Sequence, residues 1–192
     1  MKHIIHIYGA SGSGTSTLGS ALCAALGFTF MDTDDYYWLP TEPLYTQKRD
    51  RAERITRMRQ DIARADHAVV AGSLVDWGDE LIDLFTLAIR LETATAIRID
   101  RLRRRERVKF GSRIDPFGDR YQEHEAFIRW AAAYDQGGLE MRSKAKHDAW
   151  QHLLGCEQLA LNGADNLQAN IERVIEAVRR LDPARSAGKK RA

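Results

Sequence analysis

Three short runs in this chain carry residue types that do chemistry. The first is Gly9-Ala-Ser-Gly-Ser-Gly-Thr-Ser16, which follows the apolar run Ile4-Ile-His-Ile-Tyr8 and leads into Leu18, Leu22, Ala25 and Leu26. A strand, a glycine-rich turn and a helix with one apolar face are the parts of a phosphate-binding P-loop. Glycines let the backbone wrap an anion so that successive N–H groups and the positive helix end point at it. Gly9, Ser11, Gly12, Ser13, Gly14, Thr15, Ser16 and Thr17 are therefore the expected phosphate cradle, and Ser16 stands where the Walker A pattern puts its magnesium-binding hydroxyl. One position departs from G-x-x-x-x-G-K-[ST]: Thr15 occupies the place of the lysine that reaches the β- and γ-phosphates.

The second run is Asp32-Thr-Asp-Asp35, at the end of the apolar segment Phe28–Met31 and just before Tyr36-Tyr-Trp38. Ligands of open α/β sheets sit beyond the carboxyl ends of the strands, so these acids are expected at the same cleft as the P-loop. The third run, Arg101 to Arg113, holds seven basic residues against one acidic and leads into the turn-rich Ile114-Asp-Pro-Phe-Gly118. That arrangement reads as a helix end feeding a mobile lid, about residues 106–120, able to close over phosphates.

The elements that must position these runs follow from periodicity. Apolar runs at Ile4–Tyr8, Phe28–Met31, His67–Ala71, Thr86–Leu91 and Cys156–Leu161 read as five strands, with Phe28–Met31 and His67–Ala71 expected to be buried. Between them, Ala52, Ile55, Met58, Ile62 and Ala65 fall at helical spacing, and Asp79–Phe85 reads as a short helix. Thr93 is the expected cap of the helix that carries the arginine run. Two helices should follow, one with Phe127, Ile128, Ala131 and Tyr134 inward and one from Leu139 to Leu153, and the last helix is capped by Asn166. Residues 1–182 are thus expected as one domain, with 183–192 a flexible basic tail.

Bulk properties exclude several classes. A net charge of +2 over 192 residues does not call for nucleic acid as the main partner. No apolar run approaches the roughly 18 residues a spanning helix requires, and the N-terminus enters the first strand directly, so a cytoplasmic protein is expected. Cys23 and Cys156 show neither zinc nor disulfide spacing. A monomer or homodimer is expected.

Taken together, the P-loop, Asp32-Thr-Asp34 and Arg101-Leu-Arg-Arg-Arg105 resemble the nucleoside monophosphate kinase and shikimate kinase group of P-loop kinases, across roughly Lys2 to Leu181. The resemblance implies a three-layer α/β fold: a five-stranded parallel sheet, helices on both faces and an arginine-rich lid. It also implies ATP and Mg2+, with Asp32 in the metal shell and Asp34 on the acceptor hydroxyl. Arg101 would pack on the adenine and Arg105 on the phosphates, where it could stand in for the missing lysine, and Asn162-Gly163 would form the loop against the base. Arg57 and Trp77 are expected at the acceptor. Ala71-Gly72-Ser73 differs from the Asp-Gly that commonly ends the third strand in nucleotide kinases, and no arginine follows it; both points argue against a conventional adenylate kinase. The implied function is phosphoryl transfer from ATP to a small-molecule, nucleoside or nucleotide hydroxyl. The rival readings are a catalytically weak nucleotide-binding switch or adaptor, and an NTPase touching nucleic acid through its basic lid.

Overall fold

The computed structural model describes residues 1–42 and 44–182; the expected basic tail lies outside the described residues. Five parallel strands form one sheet in the order β2-β3-β1-β4-β5. They are β1 (Ile4–Gly9), β2 (Thr29–Asp32), β3 (Ala68–Ala71), β4 (Leu87–Glu92) and β5 (Glu157–Asn162). β1 sits at the centre with all six residues buried, which is why its sequence is a continuous apolar run and not an alternation. β2 corrects an expectation: it is an edge strand, and of Thr29, Phe30 and Met31 only Met31 is buried.

Helices cover both faces. On one, α1 (Thr15–Leu26) and α7 (Leu167–Leu181) bury Leu18, Leu22, Ile171, Val174 and Val178 against Ile5, Ile7, Val69 and Ile89. Each such side chain contributes about 1.5–3 kcal/mol when removed from water. On the other, α3 (Arg51–Arg64), a 3-10 turn (Asp79–Leu84) and α6 (Lys144–Gln151) bury Met58, Ile62, Leu81 and Trp150 against Ile4, Tyr8, Val70 and Ala88. The alternation of odd and even strand positions between the two cores is the period-2 geometry of a strand. Between α3 and β2 lies the short α2 (Thr33–Tyr37).

α4 (Thr95–Phe110) and α5 (Tyr121–Ala132) stand together on a third small core of Leu102, Ile128 and Ala131. Between them come a 3-10 turn (Gly111–Ile114) and a loop over 115–120; residues 106–110 of the expected lid belong to α4. Two expected boundaries move. α4 is entered at Ala94 without a side-chain cap, because the Thr93 hydroxyl donates to Ser13 O at 3.1 Å instead. α6 begins at Lys144, capped by Ser143, which leaves Leu139–Arg142 as loop.

Register places the functional edge. Gly9 pairs with Leu91, Asp32 with Ala71 and Glu92 with Asn162, so the strands end along one line at their carboxyl side. The three sequence runs converge there.

Candidate functional site

Two arginines stand behind the P-loop, and Arg101 bonds it directly. Arg98 is fully buried and donates to Thr93 O at 3.0 Å, Ala131 O at 3.1 Å and Asp135 Oδ2 at 3.2 Å, with its guanidinium above the Tyr134 ring. Arg101 bridges Ser13 O at 3.2 Å and Gly163 O at 2.9 Å, so it ties the loop to the turn after β5. Gly12 has φ +79, and a Cβ there would stand 2.6 Å from Arg98 O; only glycine lets the loop pass. Gly14 enters α1 with no side chain to cap it, which leaves the first-turn N–H groups for an anion. The Ser13 hydroxyl is buried without a partner among the described residues.

Beside this cradle, Ser16 Oγ donates to Asp32 Oδ2 at 2.7 Å. The other oxygen of Asp32 caps α2 by accepting from Asp34 N at 3.0 Å. One carboxylate thus joins the P-loop serine to the element that carries Asp34. Partial desolvation in the cleft, and then the neighbouring charge of Asp32, raise the Asp34 carboxyl above its ordinary value, although the residue still reaches solvent. Asp35 is raised for the same two reasons. No group of three or more His, Cys, Asp or Glu that could hold a metal occurs among the described residues. Ser16 and Asp32 alone are a fitting set of hard oxygen donors for magnesium, which keeps waters and takes the rest of its ligands from phosphates.

Asp32, Asp34 and the P-loop line a cavity of about 830 Å³, shared with Trp38, Tyr45, Trp130 and four cations: Arg105, Lys109, Arg120 and Arg142. Arg142 donates to Ser11 Oγ at 2.6 Å and lies 4.7 Å from the Trp130 ring centre. Lys109 Nζ sits 3.9 Å above the Tyr45 ring, joining the lid end of α4 to the loop that follows α2. Much of the remaining basic run is neutralised within the lid and its helices: Arg104 pairs with Asp100, Arg107 with Asp115 and Arg113 with Asp119.

A second cavity of about 510 Å³ runs from Gly12–Thr17 past Arg101 and Gly163 to Leu167 and Asn170. Asn170 Nδ2 donates to Asn162 O at 2.8 Å, and its Oδ1 is buried with no partner among the described residues. Arg105 lines both cavities and touches Glu106 only at 3.4 Å.

Most residues expected from sequence are therefore brought together, and three are not. Arg57 lies outside the main cleft in an outer hollow and pairs with Glu53 at 2.9 Å. Trp77 is 3% exposed, and its Nε1 donates to Ser73 O at 3.1 Å, which makes it a brace of the turn after β3. The Asn162 side chain accepts from Ala164 N and shapes its own turn, and the residue lines a different hollow of about 450 Å³ beside Arg90 and Glu92. Sequence reading missed Arg142, Lys109, Arg120 and Asn170. Arg142 was concealed because its segment reads as packing helix; the one available signal was an arginine just after the breaker pair Gly137-Gly138.

No protein-family model matches the chain. Among solved structures, a shikimate kinase from Bacteroides thetaiotaomicron superposes with a TM-score of 0.56 at 16% identity, over 92% of this chain and 98% of that one. A gluconokinase from Sinorhizobium meliloti 1021 superposes with a TM-score of 0.50 at 17% identity, over 92% of this chain and 95% of that one. These likenesses establish the P-loop kinase fold. In sequence, the chain is 38% identical over 176 residues to the uncharacterized protein YqaC of Bacillus subtilis (strain 168), spanning 92% of this chain and 97% of that protein. With that identity over nearly its whole length, the chain belongs to the YqaC family, built on the P-loop kinase fold.

Proposed function

We propose that the protein transfers the terminal phosphoryl group of ATP to a hydroxyl of a small acceptor. The observation that carries this reading is the 2.7 Å contact of Ser16 with Asp32, made in the wall of the cavity that also holds Asp34. In this reading the pair supplies two hard oxygen ligands for a metal beside the acid that would meet the acceptor.

In this reading the P-loop N–H groups hold the phosphates, while Arg101, Gly163 and Asn170 bound the nucleoside end. Ser16 and Asp32 would hold a magnesium ion, which supplies charge neutralisation on the phosphates when bound. Asp34 orients the acceptor hydroxyl and takes its proton as the oxygen bonds to phosphorus and ADP departs. A carboxyl raised above its ordinary value is better matched to that task than a fully solvated one. Arg105 and Arg142 supply the positive charge that Thr15 does not, since transfer of this kind depends on positioning and electrostatic stabilisation.

The test is ADP release with ATP and magnesium across a panel of hydroxylated compounds. Shikimate and gluconate, named for the structural neighbours, come first, followed by nucleosides. Release that depends on an added compound supports transfer; ATP binding without release under any condition supports the switch reading, which the lysine-free loop favours. The internal ion pairs of the basic run weigh against a nucleic-acid contact.

A further inference from the structure

Ser73 lies in the wall of the same cleft, two residues past the end of β3, and none of the roles above uses it. Its Oγ is 2.9 Å from His147 Nε2, and His147 Nδ1 is 2.7 Å from the Tyr134 hydroxyl. Ser73, His147 and Tyr134 are all buried, at 7%, 0% and 8% exposure. The charge of Arg90 acts on Tyr134, and Arg90 is itself fixed by Asp148 at 2.6 Å, Gln151 at 2.8 Å and Glu92 at 3.3 Å. Ser73, His147 and Tyr134 therefore form a hydrogen-bonded chain that reaches the cleft, with Arg90 beside its far end.

The positive charge of Arg90 favours electron density on the Tyr134 oxygen and so favours this phenol as the donor, its proton going to His147 Nδ1. Burial first, then the charges of Arg142 and Arg90, push the His147 pKa down to about 3, so the ring is neutral and carries one N–H. With Nδ1 accepting, that proton sits on Nε2 and is donated to Ser73 Oγ. The Ser73 proton is then free to be given away, and each donor in such a chain polarises the next. A histidine titrating so low is too weak a base to take that proton, which argues against a nucleophilic serine.

We propose that Ser73 binds the phosphoryl acceptor by donating its O–H to a lone-pair oxygen of that molecule, with Arg90, Tyr134 and His147 as positioning residues that fix the polarity of the donation. This rests on the transfer reading above. The acceptor class so selected presents a carboxylate, carbonyl or hydroxyl oxygen to Ser73, and an analogue with an ammonium group at that place is rejected.

Two measurements test it. Two-bond proton–nitrogen spectra of the histidine-labelled protein should show His147 protonated on Nε2; protonation on Nδ1 overturns the proposal. Kinetics then use whichever of shikimate, gluconate, uridine or adenosine gives the highest ADP release. Ser73→Ala should raise the KM for that acceptor about tenfold, the loss of one hydrogen bond in a desolvated site, and leave the KM for ATP unchanged. Ser73→Thr keeps the donor and should stay near wild type, while Tyr134→Phe should reproduce the defect with Ser73 in place. An unchanged acceptor KM in Ser73→Ala overturns the role of Ser73 with transfer intact. Absence of release with all four compounds removes the transfer reading and this role with it.

Discussion

Arg142 donates to the Ser11 hydroxyl at 2.6 Å, tying the loop before α6 to the phosphate loop 131 residues earlier in the chain. The contact delivers a guanidinium to a P-loop that has Thr15 where the Walker pattern has its lysine. Its neighbours include Asp34, whose charge acts on it, so in the proposed transfer the acid on the acceptor and the cation on the phosphates would face one another across the cleft. Arg142→Ala should lower kcat by about 10³, the range for a charge-stabilising arginine, with Arg105→Ala as the comparison. Thr15→Lys in the Arg142→Ala background should recover at least about tenfold, because the ammonium reaches the same oxygens. Acceptor-dependent ADP release for the single and double variants decides it: additive effects would show that the two cations do separate jobs.

Asp34 predicts opposite effects on stability and turnover. Its folded carboxyl is raised above the ordinary 3.8, chiefly by partial desolvation and then by Asp32. The folded chain therefore binds this proton more tightly than the unfolded chain does, so its contribution is most favourable below the unfolded pKa and is lost as pH rises through the folded one. At pH 7 to 8 the ionised group opposes folding. Asp34→Asn should accordingly raise Tm at pH 7 to 8, lose that advantage near pH 4, and abolish transfer at every pH. In the wild type, kcat/KM should rise with pH until Asp34 is ionised and then level off. Thermal melts and pH–rate profiles check both halves.

Asp32 has two jobs that one substitution separates. Its Oδ1 caps α2 and its Oδ2 accepts from Ser16. Asparagine caps a helix as well as aspartate does, so Asp32→Asn should keep the fold and Tm within a few degrees. It removes a negative hard ligand, so the magnesium concentration for half-maximal ADP release should rise about tenfold or more. An unchanged magnesium requirement would make the residue a cap alone.

The parts of this site that were legible in the sequence are those whose geometry is local. The P-loop is contiguous, and its glycines, hydroxyls and flanking elements announce themselves; Asp32 and Asp34 follow directly on a strand. α3 was read from apolar spacing, yet its inward row is Arg54, Met58 and Ile62. Arg54 packs its guanidinium 3.8 Å from the Tyr37 ring, so a core position is disguised as a charge, and Arg57, about 60° away round the helix, turns outward to Glu53. Arg142, His147 and Ser73 meet only through tertiary packing. No spacing rule brings residues 73 and 147 together.

The acids are held in register with the end of β3 by a close fit between Gly72 and Thr33. Gly72 has φ +119, and a Cβ there would lie 1.8 Å from Thr33 Oγ1, the first residue of α2. The fit locks the Asp32–Asp34 turn against the strand that precedes Ser73. Gly72→Ala should destabilise the protein by roughly 2–5 kcal/mol, combining backbone strain at a φ that L side chains avoid with overpacking. The two contributions can be separated. Thr33→Ala removes the hydroxyl that blocks the new methyl group and leaves the dihedral unchanged, so the double variant should recover part of the loss, about 1–3 kcal/mol. Urea unfolding of the four proteins measures this coupling, with constant m-values confirming that stability alone has changed. A Gly72→Ala protein within about 0.5 kcal/mol of wild type, the range of an ordinary surface change, would show that the turn carrying Asp34 is free to move away from β3.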